Sequence, residues 1–88
     1  MKTTFVFSSD FSHLSLAYAD GAVAKVSDAE ELAQIIRTHC IVKSVSDELI
    51  NGETTFEQAA RFLCISLISQ GENAGKVLVV DAIDEEQH

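Results

Sequence analysis

The chain has 88 residues, 47% apolar and 23% charged, and its fourteen carboxylates against six Lys and Arg leave a formal charge of −8. That length holds one hydrophobic core and no second, and the apolar content is that of a folding domain rather than a disordered one. The negative charge works against binding to nucleic acid or an anionic membrane, and two cysteines are too few for a disulfide scaffold.

At the start, Met1-Lys2, Phe5-Val6-Phe7 and Ala17-Tyr18-Ala19 imitate a cleavable signal. Ser8, Ser9, Asp10, Ser12 and His13 interrupt the apolar stretch such a signal needs, and no run is long enough to span a membrane. The expectation is a cytoplasmic protein with reduced cysteines.

Residues 3–8 are β-branched and aromatic and read as a first strand, with Phe5 and Phe7 on one face. Ser8-Ser9-Asp10 is turn chemistry. From His13 to Tyr18 a period of two points Leu14, Leu16 and Tyr18 inward and His13 outward. Asp20-Gly21 suits a tight hairpin, and residues 22–26 return as a third strand.

Ser27-Asp28-Ala29-Glu30 has capping-box spacing and opens a helix whose stripe is Ala29, Leu32, Ile35, Ile36 and Cys40. Arg37 and His39 suit the negative end of its dipole. Ile41-Val42 reads as a short extended link or a brief strand, and residues 46–50 as a short helical turn stopped by Asn51-Gly52.

Thr54 and Glu57, again at capping-box spacing, open a second long helix. Phe56, Ala59, Ala60, Leu63 and Leu67 share one side, while Phe62, Ile65 and Ile68 make its later turns apolar nearly all round. Such a helix is central or contacts another subunit. After a loop from Gly71 to Gly75, residues 76–83 form the strongest strand, apolar on both faces to Val80 and so expected in the middle of a sheet. Residues 84–88 read as a polar, frayed acidic tail. The order β-β-β-α-α-β predicts a single α+β domain over residues 1–88, two main helices on a four-stranded, mostly antiparallel sheet.

Few residues point to chemistry. His39-Cys40 and Cys64 have neither the ligand number nor the spacing of a metal site, and an acidic chain offers little to lower a thiol pKa. They read as helix-gap fillers, with His39 at a helix end. The carboxylate groups lack the calcium-loop pattern, and the four glycines form no phosphate-binding motif. No cofactor or metal is expected.

The expected function is therefore a small acidic, non-catalytic interaction protein: a regulator, inhibitor or accessory subunit, working as a homodimer or with a basic partner protein. Its candidate interface is Phe56, Ala60, Phe62, Leu63, Ile65, Leu67 and Ile68. The alternative is a small ligand-binding or catalytic dimer, with a pocket between sheet and helices or at the dimer seam. Its polar candidates are His13, Tyr18, His39 and Cys40.

Overall fold

The computed structural model describes residues 3–80. The end of the expected last strand, the acidic tail, and the carboxylates and His88 after Val80 lie outside that range.

The fold is α+β. Strands β1 (Thr4–Ser8), β2 (Leu14–Ala17), β3 (Val23–Val26) and β4 (Lys76–Val80) form one four-stranded sheet in the order β3-β2-β1-β4. Helices α1 (Ala29–His39), α2 (Ser44–Ile50) and α3 (Phe56–Gln70) separate β3 from β4, and a 3-10 turn, Gly71–Ala74, leads from α3 into β4. The β1·β2 and β2·β3 pairs are antiparallel and β1·β4 is parallel.

The first three strands form because apolar and polar residues alternate through them and a tight turn joins β2 to β3. Gly21 takes φ +96, and Tyr18 donates its backbone N–H to Ala22 O at 2.8 Å. The strand ends at Ala17, so Tyr18 enters the turn and is 40% exposed rather than inward.

Register fixes the two faces of the sheet. Ala24, Leu16, Phe5 and Val77 form one row of the covered face; Val26, Leu14, Phe7 and Val79 form the next. Phe5, Phe7, Leu14 and Leu16 are buried there against Leu32, Ile36, Leu63 and Leu67 of α1 and α3. The opposite face carries Thr4, Val6, Ser15, Ala17, Val23, Lys25, Lys76 and Leu78.

Both long helices start one residue later than their capping pattern suggests. Asp28 caps α1, accepting from Glu31 N at 2.8 Å, while Glu31 Oε1 accepts from Ser27 N at 3.1 Å. Thr55 caps α3, accepting from Gln58 N at 3.2 Å. The capping oxygen thus comes from the neighbouring residue in both helices, and only in α1 does a side chain reach back to a backbone N–H ahead of the helix.

β4 lies at the edge of the sheet, not in its middle. On the covered face the helices bury Phe5, Phe7, Leu14 and Leu16 but leave Val79 at 51% exposure, while Leu78 and Val80, at 39% and 45%, lie on the opposite face. Hydrophobicity on both faces shows that a strand wants cover; it does not say what supplies it.

Candidate interaction surface

α3 divides its apolar residues between two sides. Ala59, Ala60, Leu63, Cys64 and Leu67 face the core. Phe62, Ile65 and Ile68 follow one another at helical spacing on the outer side, at 42%, 67% and 62% exposure. Of the seven candidate interface residues, these three are thus available to a partner. Ala60, Leu63 and Leu67 are committed to the core, and Phe56 is packed partly against it.

Two polar side chains, buried Ser66 and half-buried Gln70, set the attitude of α3. Gln70 Nε2 donates to His39 O at 2.6 Å, and Ser66 Oγ accepts from Ile41 N at 3.1 Å. They satisfy backbone groups at the C-terminal end of α1, which has spare carbonyls like any helix end. With α1 clamped on one side and the sheet beneath, the stripe of Phe62, Ile65 and Ile68 must face outward. α3 also packs against β4. On α3 Arg61 donates to Glu57 Oε2 at 3.4 Å, and along β4 the one charged residue is Lys76, so charge is sparse here although the chain is strongly acidic.

The polar candidates do not meet. His13 precedes β2 and Tyr18 follows it, roughly 16 Å apart at strand rise. Cys40 is buried, its Sγ 3.5 Å from Val42 O. His39 does not cap the helix with its ring: the ring stands edge-on to Phe5 with centroids 5.0 Å apart, and burial lowers its pKa from the ordinary value. Cys64 is buried and free, and burial raises its pKa, away from nucleophilic use. An open hollow of about 310 Å³ between β3 and α1 is lined by Lys25, Glu30, Glu31 and Gln34 among others, and includes none of the four candidates.

The loop joining β1 and β2 brings a serine, a histidine and an aspartate together, wired for structure. Asp10 Oδ1 accepts from Ser8 Oγ at 2.8 Å, Ser12 N at 3.0 Å and Ser12 Oγ at 2.7 Å. These bonds hold the Asp10 carboxyl down at about 2. Ser12 gives its hydroxyl proton to Asp10, so the Ser12–His13 contact at 2.9 Å leaves the ring as donor, the reverse of what nucleophile activation requires. The network holds Phe11 at φ 61, costly for a bulky residue, and its ring packs on Phe7 beneath the Arg61 guanidinium.

Among the described residues, no group of three or more His, Cys, Asp or Glu is placed to hold a metal ion, and no helix is long and apolar enough to cross a membrane. No family model, curated protein or solved structure matches the chain.

Proposed function

We propose that the protein is a non-catalytic interaction protein, acting as a homodimer or with a partner protein through the outer side of α3 and β4. The observation that carries this reading is the exposure of Phe62, Ile65, Ile68, Leu78, Val79 and Val80 on elements that touch. Exposed apolar surface on this scale in a domain of this size marks interaction sites.

The magnitudes are adequate. These six side chains leave uncovered the equivalent of roughly three whole apolar side chains, and full cover yields about 1.5–3 kcal/mol for each. Two copies burying them gain roughly 9–18 kcal/mol, against about 4–15 kcal/mol of lost freedom on association. The balance favours a reversible complex. The exposed carboxylates elsewhere, Glu30, Glu31, Asp47, Glu48 and Glu53 among them, suit a basic partner and keep the remaining surface solvated. The ligand-binding alternative needs convergent polar groups, and the separation of His13 from Tyr18 and the burial of Cys40 weigh against it.

Light scattering over a concentration series up to the millimolar range tests the reading. The mass of the full chain is expected to rise towards twice that of one chain, and Ile65→Lys, which leaves the core untouched, to move that rise to higher concentration. A chain that stays monomeric throughout and captures no basic protein would refute it.

A further inference from the structure

The dimer proposed above leaves the geometry of association open, and the hydrogen-bond parity of β4 narrows it. Lys76 donates its backbone N–H to Thr3 O at 3.0 Å. In a parallel ladder alternate residues face the same neighbour, so Lys76, Leu78 and Val80 spend their backbone groups on β1. Val77 and Val79 turn theirs to the outer edge, where none of the described residues pairs with them.

We propose that two copies of the chain join edge to edge through β4, antiparallel about a two-fold axis at Leu78, fusing their sheets into one. The inference rests on the interaction reading and names its occupant, a second copy of this chain. Two outward residues spaced i, i+2 are what an isologous antiparallel pair requires. Val77 bonds Val79 of the second copy, Val79 bonds its Val77, and the two Leu78 side chains face each other across the axis.

Both faces of the sheet continue through this register. The covered row that ends at Val79, half-exposed in one subunit, runs on into the other subunit's Val77, and the Val6–Leu78 row of the open face runs on into the second Leu78.

Charge selects the occupant and its direction. The acidic chain repels its own copies over most of its surface, but on α3 Arg61 is paired with Glu57, and β4 carries only Lys76. A basic strand would meet like charge there. A parallel copy would set the two Lys76 side by side, whereas an antiparallel copy sends them to opposite ends of the seam. β4 also lacks the usual guards of an edge strand: it has no proline, an unbroken register and one charge, at its start.

Cross-linking tests the register. In a non-hydrogen-bonded antiparallel pair facing Cβ atoms lie about 4.5–5.5 Å apart, close enough for a disulfide after small adjustment. Leu78→Cys in the full chain, with oxidised glutathione accepting the two electrons, is expected to form covalent dimer about tenfold faster than Val23→Cys on the opposite sheet edge. The native Cys40 and Cys64 are buried and compete little. Val79→Pro removes an outward N–H that β1 does not use, and is expected to raise the dimer dissociation constant at least about tenfold at unchanged circular dichroism.

A wild-type dimer in which Leu78→Cys cross-links no faster than Val23→Cys would overturn edge pairing and leave the interaction reading standing. A wild-type chain that is monomeric alone, yet binds a different protein in a way Val79→Pro abolishes, would overturn self-pairing in favour of another strand at the same edge. A chain that neither self-associates nor cross-links would remove both.

Discussion

Gly75→Ala probes how β4 is held. Gly75 has φ +115, and a Cβ built there would lie 2.3 Å from Thr3 O and 3.4 Å from Phe5 Cε1. Thr3 O is the acceptor of the Lys76 N–H, the first rung of the parallel ladder, so the methyl must push β4 and β1 apart at that rung. The backbone conformation costs an L-residue about 1–3 kcal/mol, and losing the rung costs a further 0.5–1.5 kcal/mol or so. A total of roughly 2–4 kcal/mol is a large share of the roughly 4–13 kcal/mol expected for a domain of this length. It corresponds to a fall in melting temperature of roughly 10–30 °C.

Gly21→Ala is the control. Gly21 also has positive φ, at +96, but nothing lies within 4 Å of the added methyl, so it carries strain without the clash. Urea and thermal unfolding followed by circular dichroism measure both variants, and amide exchange at Lys76 reports the rung directly. If Gly75→Ala cost no more than Gly21→Ala, close approach of Gly75 to β1 would not be what seats the last strand.

Two pH-dependent outcomes follow from side-chain surroundings. Asp10 titrates at about 2 in the fold, against about 3.9 unfolded. Its stabilisation is therefore complete above the unfolded value and lost as pH falls through the folded one, and Asp10→Asn is expected to flatten stability between these limits in acid denaturation curves. His39 has its pKa lowered by burial, so the unfolded chain takes up its proton first. Stability is expected to be full above about pH 6.5, to fall as pH drops below that value, and to level off beneath the folded pKa. His39→Leu should remove that component in urea titrations at pH 7 and pH 5, and an unchanged difference between the two would contradict the buried-ring account.

The meander was legible in the sequence because its signals are local. Alternation in β1 and β2 and the Asp20-Gly21 turn each act within a few residues. The helix caps were legible to within one residue, since Ser27 beside Asp28, and Thr54 beside Thr55, offer equivalent oxygens and only geometry selects between them. Tyr18 was misplaced because alternation does not mark where a strand gives way to its turn. The edge position of β4 was not legible, because it depends on how far the helix layer reaches. The contact of Gln70 with the His39 carbonyl joins residues 31 apart with no pattern to announce it. The same holds for the surface: periodicity pointed to excess apolar residues on α3, but packing alone separated outward Phe62, Ile65 and Ile68 from inward Ala60, Leu63 and Leu67.

The parallel partnership of β1 and β4 unites the earliest and latest strands of the described chain. β1 gains β2 almost at once, but its other flank waits until all three helices have been made. Closing so long a loop is entropically slow, so docking of β4 belongs to the final stage of folding. A nascent chain halted before Lys76 would present an unsealed β1 margin, and such intermediates are where misassembly begins.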